Sequence, residues 1–124
     1  KLTRQINSES LWPCQTKING FEIHNGQTEL DNMQSPLQIK PIFKDLNLGW
    51  YKENKEGGTI VGTYIHGIFE NDNWRDQYIN LIRKSKNLPT LNKKSISYKK
   101  KRESIIDNLA KEFDKHLNIT SLLS

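Results

Sequence analysis

The chain of 124 residues has one cysteine, one methionine and four prolines, and none of its apolar runs is long enough to span a bilayer. A lone Cys14 cannot close an internal disulfide and offers no metal-ligand spacing, which fits a reducing cytoplasm and a site without metal. Hydrophobic residues make up only 34%, thin for one self-sufficient core. The first residue is Lys1 rather than methionine, and the stretch from Lys1 to Ser10 has no signal-peptide pattern, so a piece of a longer cytoplasmic protein is expected. Acidic residues are absent from one long stretch. Arg83, Lys84, Lys86, Lys93, Lys94, Lys99, Lys100, Lys101 and Arg102 follow one another without an Asp or Glu between them, so the net charge of +5 is local. Only Tyr98 lies among these cations to stack on a base, which favours a solvated connector over a nucleic-acid surface. The third alternative for the run is electrostatic attraction of an acidic substrate.

Against these absences stand a few patterned segments. Residues 1 to 16 are polar and aperiodic, with Trp12-Pro13 breaking any helix, and are expected to be irregular or the tail of an element cut away. From Lys17 to His24 residues alternate, Phe21 and Ile23 on one face and Glu22 and His24 on the other, as in a strand with a polar edge. Asn25-Gly26 then supplies a turn. Residues 27 to 36 read as a loop, and Leu37 to Lys40 as a short edge strand before Pro41. Two arms, Leu46–Tyr51 and Ile60–Ile65, suggest a hairpin around Lys52–Gly58. A helix is expected from about Asp72 to Lys86, with Trp74 and Tyr78 as core residues and Leu81 and Ile82 on the same spacing. Residues 89 to 102 read as a basic connector, and from about Lys99 to Leu117 the stripe of Ile105, Ile106, Leu109, Phe113 and Leu117 marks a second helix, whose partner is expected to be the sheet.

The chemistry concentrates in Thr59-Ile60-Val61-Gly62-Thr63-Tyr64-Ile65-His66-Gly67-Ile68-Phe69, which runs directly into Glu70-Asn71-Asp72-Asn73-Trp74-Arg75. The first half has the composition of a buried strand, and Asn71 or Asp72 can cap the helix behind it. His66 therefore falls at the carboxyl end of a strand, before a glycine that lets the backbone bend, which is a common place for a catalytic base in an open α/β sheet.

The order of these motifs is more specific than any one of them. Gly20-Phe21-Glu22-Ile23-His24-Asn25-Gly26, then Gly62 to Phe69, then Asn71-Asp72-Asn73-Trp74-Arg75, then Ile106 to Ala110 and His116-Leu117 resemble the later half of the glutamine amidotransferase domain of the cobyric acid synthase family. The resemblance covers most of residues 17 to 119. It implies an α/β fold, the C-terminal portion of an open flavodoxin-like sheet with flanking helices, with residues 1–88 carrying the strands, the histidine and its helix and 89–124 completing the same domain. It implies a ligase that draws ammonia from glutamine and uses ATP with magnesium, in a synthetase domain elsewhere, to amidate the corrin adenosylcobyrinic acid a,c-diamide. No cofactor is expected on this chain. The resemblance also places the family's catalytic histidine on His66. Many triad amidotransferases have a glutamate two positions after that histidine. Ile68 stands there in this chain, as the cobyric acid branch has it, and a sister branch differs in having a Leu-His-Phe-like stretch after its histidine.

An imidazole can take a thiol proton and return it to departing ammonia, so His66 would form half of a dyad. The nucleophile is expected on another stretch, in a glycine-flanked turn. Cys14, in Trp12-Pro13-Cys14-Gln15, has no such context. Glu22 and His24 either line the site, touching substrate or orienting His66, or form a cross-strand polar pair on an exposed face. The alternatives to the enzyme are a small basic nucleic-acid-binding module and a non-catalytic interaction domain.

Overall fold

The structure, a computed structural model, describes residues 2–26, 28, 39–45, 47–54, 58–92 and 96–116. The chain divides into two compact units, Lys1–Lys94 and Ser95–Ser124. Among the described residues the first holds six strands and a helix, the second one helix.

Strand β1 spans Leu2–Ser10 and β2 Thr16–His24. They pair antiparallel over nine rungs, from Leu2 opposite His24 to Ser10 opposite Thr16. Of the two readings of the start, the irregular one is thus corrected: an element stands there. A polar strand such as β1 has little local signal, and it is held by its ladder to β2 and by the few inward positions it supplies, Ile6 and Ser10. Strand β2 is the middle strand, between β1 and the two-residue β6, Ile65–His66. Its facing is also the reverse of a strand with a polar edge: Glu22 is buried while Phe21 and Ile23 are exposed. A charged partner on β1 is what makes the inward Glu22 tolerable.

A second antiparallel sheet has the order β3-β4-β5, with β3 Ile39–Pro41, β4 Gly49–Glu53 and β5 Thr59–Thr63. Pro41, which lacks an N–H, lies on an edge strand as its chemistry requires. The rest of the expected strand, Leu37 and Gln38, and the loop 29–36 lie outside the described residues. The hairpin is present, paired from Gly49 opposite Thr63 to Glu53 opposite Thr59. Its first arm starts three residues later than the sequence suggested. Its second arm is not the strand that bears His66: β5 ends at Thr63, and the chain crosses to the other sheet before β6 begins. Nor is β5 buried, since only Val61 is partly covered on an edge of its sheet.

Helix α1, Asp72–Ser85, matches its expected span and is closed by Asn87 in a left-handed conformation, φ 54°. The core gathers Ile6, Trp12, Ile18, Ile42, Phe43, Leu48, Ile65, Ile68 and Trp74. Trp74 is 1% exposed, its indole Nε1–H donating to Ser10 Oγ and Trp12 O, both at 3.1 Å, and Tyr78 stacks on it at 5.2 Å. Core roles for both residues are therefore observed.

The second unit's helix, α2, spans Tyr98–His116, starting within one residue of the expected Lys99. No residue of α2 is buried, and Ile105, Ile106, Leu109 and Phe113 are half exposed. Leu117 lies outside the described residues. No described helix is long and apolar enough to cross a membrane.

Candidate functional site

The site is built where the chain passes from one sheet to the other. Thr63 Oγ1 donates to Leu48 O at 2.8 Å and accepts the Ile65 N–H at 3.0 Å, and the Tyr64 N–H donates to Leu48 O at 3.0 Å. These bonds turn the backbone out of β5 and deliver Ile65 into the core. Alternation then faces the next residue, His66, outward.

Two features fix the segment. Phe21 lies opposite His66 and Glu22 opposite Ile65. Gly67 then adopts φ 80°, left-handed backbone that a side chain would disfavour, and opens a short 3-10 turn over Ile68–Glu70. Ile68 anchors the turn in the core. Asn71 is the N-cap residue of α1 as expected, but its side chain bonds elsewhere: its Oδ1 accepts the Asn19 N–H at 2.8 Å, and its Nδ2 donates to Asn19 O at 2.9 Å and Ile68 O at 3.0 Å. This clamp ties the head of α1 to β2 beside β6.

The His66 ring stays exposed, with Nε2 3.3 Å from the carbonyl oxygen of Ile23. Opposed residues share a face, so His66 belongs with Phe21 and Ile23 on the outer side of the β1-β2-β6 sheet. Glu22 and His24 point to the other side. The structure separates them from His66 and gives them partners of their own.

Their cluster is dense. Arg4, opposite Glu22 on β1, donates from Nε to Glu22 Oε2 at 2.5 Å and from Nη2 to Asp45 Oδ2 at 3.3 Å. His24 Nε2 meets Glu22 Oε1 at 2.9 Å, and its ring stacks on Tyr64 at 4.1 Å. Burial alone would push the Glu22 carboxyl up, but the hydrogen bonds from Arg4 and His24 outweigh it and hold the group below its ordinary range. The exposed polar pair expected from alternation is thus a buried charge-paired network. It borders a cavity of about 290 Å³ lined also by Asn47, Trp50 and Tyr64. Neither Arg4 nor the Ile23 carbonyl is marked in the sequence: Arg4 sits in an aperiodic stretch, and a backbone carbonyl leaves no trace in a side-chain pattern.

Cys14 lies between β1 and β2, partly covered, and burial pushes its thiol pKa up. A nucleophile needs the opposite shift. Among the described residues no group of three or more His, Cys, Asp or Glu could hold a metal ion. Part of the basic run is engaged locally, Arg83 Nε donating to Pro89 O at 2.6 Å, while Lys93 and Lys94 lie outside the described residues.

Comparison with known proteins places the sequence in context. Residues 1–74 match the family model of the CobB/CobQ-like glutamine amidotransferase domain. Over its whole length the chain is 84% identical to a cobyric acid synthase of Prochlorococcus marinus strain AS9601, and 74% identical to that of Prochlorococcus marinus subsp. pastoris. It is 37% identical to the cobyric acid synthase of Synechococcus sp. strain CC9311. The chain spans about a quarter of the length of these relatives, 24% for the first. No solved structure matches it.

Proposed function

The chain belongs to the CobB/CobQ-like glutamine amidotransferase family, and from that premise we propose that it carries the proton-transferring half of a glutamine-hydrolysing site in a cobyric acid synthase. The observation that carries the reading is His66, held at an exposed strand end by the β2 ladder and the left-handed turn at Gly67.

In the proposed reaction a cysteine on another stretch of the full-length protein gives its thiol proton to His66. The thiolate attacks the carboxamide carbon of glutamine, and the tetrahedral adduct collapses as the C–N bond breaks. The imidazolium returns the proton to the leaving nitrogen, and ammonia departs. Water, deprotonated by the same imidazole, then cleaves the thioester to glutamate and frees the cysteine. The ammonia would amidate carboxylates of adenosylcobyrinic acid a,c-diamide in an ATP- and magnesium-dependent synthetase domain.

The same proposal covers architecture. The strands of the first unit would complete an open flavodoxin-like sheet, with residues 1–88 and 89–124 in one amidotransferase domain of a cytoplasmic enzyme. Glu22 and His24 support the site through the frame rather than by touching glutamine. No observation favours nucleic acid or a non-catalytic role over this reading.

The test is covalent capture by an electrophilic glutamine analogue in the full-length protein. The adduct is expected on a cysteine other than Cys14, and His66→Ala should slow its formation about a hundredfold or more, the range of a general base. Equal capture by the two proteins, or an adduct on Cys14, would contradict the proposal.

A further inference from the structure

A Cys–His pair works only if the imidazole presents one chosen nitrogen, and in this chain the position two residues after His66 cannot choose it. Ile68 is apolar and 5% exposed, a core residue. Glu22 lies on the opposite face of the sheet, with its oxygens bound by Arg4 and His24. What His66 does meet is main chain: Nε2 lies 3.3 Å from the carbonyl oxygen of Ile23. A carbonyl only accepts, so this hydrogen bond exists only when Nε2 carries the proton.

We infer that the Ile23 carbonyl is the positioning group for His66, fixing the Nε2–H tautomer and leaving Nδ1 as the atom that takes the thiol proton. The inference rests on the amidotransferase reading for its chemistry and deepens it. The proton balance closes: Nδ1 accepts from the thiol, the imidazolium keeps Nε2–H on the carbonyl, and Nδ1–H is returned to the leaving ammonia. The acceptor is well suited to the task because it is rigid. Ile23 is paired with Thr3 on β1, and two residues before it Phe21 is paired with His66 itself, so ring and carbonyl belong to one ladder. A backbone acceptor also makes the device independent of the side chain at position 23.

The test is the tautomer of His66 in the full-length protein, read by long-range proton–nitrogen correlation with labelled histidine at mildly alkaline pH and assigned by the loss of the signals in His66→Gln. The expected result is a protonated Nε2 and a bare Nδ1, unchanged in Ile23→Val and in Glu70→Gln. An Nδ1–H tautomer, or an averaged mixture, would overturn the inference, and so would a tautomer that changes in Glu70→Gln, because a carboxylate would then be the orienting group. Replacing the Ile23–His24 peptide link by an ester, which weakens that carbonyl as an acceptor, should lower kcat with glutamine several-fold and leave the rate with added ammonia unchanged. Equal rates with glutamine before and after that change would also overturn it. If instead His66 proves dispensable for glutamine use while showing the expected tautomer, the amidotransferase reading fails and the hydrogen bond stands alone.

Discussion

Glu22 and His66 stand one rung apart and face opposite ways, and this single alternation decides what each can do. Glu22 is a buried carboxylate whose pKa is held down by Arg4 and His24. A group depressed in the folded state stabilises it at pH above the ordinary carboxylate range, and that contribution is lost as pH falls through the folded-state value. Glu22→Gln should therefore lower the thermal midpoint at neutral pH, with the gap to the parent closing on acidification, since below both pKa values the parent carboxyl is also neutral. A constant gap across that window, in thermal unfolding of the two proteins, would show that the charge contributes nothing. Cys14 gives a second prediction at this scale. With its thiol pKa raised by burial, the 124-residue chain alone should release no ammonia from glutamine in a coupled assay. His66 and the Glu22–His24 pair were both legible in the sequence as polar residues on short strands. Their separation was not, because facing depends on which residue of β6 meets which residue of β2, a non-local register that no local pattern records.

Among the elements, β6 is the smallest and the most constrained. A Cβ on Gly20 would fall 2.5 Å from His66 O and 2.5 Å from Ile65 Cγ2, too close for either to stay in place. Gly20→Ala should push β6 away from β2, costing about 1–3 kcal/mol as other overpacked sites do. It should also lower glutamine-dependent turnover more than ammonia-dependent turnover, because His66 moves with the strand. The Asn71 clamp is expected to behave alike. Asn71→Ala removes both bonds to the Asn19 backbone and should cost about 0.5–1.5 kcal/mol in denaturant unfolding, the net range for hydrogen bonds whose partners water can reach. Helix α1 was readable from its 3.6-residue spacing, and the β4–β5 hairpin from its glycines. Strand β1 was not, because its residues are polar and its partner is β2. The exposure of β5 was hidden as well, since Thr, Ile and Val suit an edge strand as well as a buried one.

For the whole molecule, the chain is about a quarter of its relatives' length, and its exposed surfaces belong in that setting. Phe21 and Ile23 beside His66, and Ile105, Ile106, Leu109 and Phe113 of α2, are apolar and exposed in the structure. The family was legible because its motifs are contiguous, and the stripe of α2 from its helical spacing, while the exposure of Phe21 and Ile23 was not, because it depends on which face of the sheet the core covers. The central claim is that His66 moves the proton that frees ammonia from glutamine, and rates in the full-length protein test it most directly. His66→Ala should abolish amidation with glutamine, a loss of about a hundredfold or more, while amidation with added ammonium salt continues near the parent rate. Equal loss with both nitrogen sources would make His66 a structural residue and contradict the account.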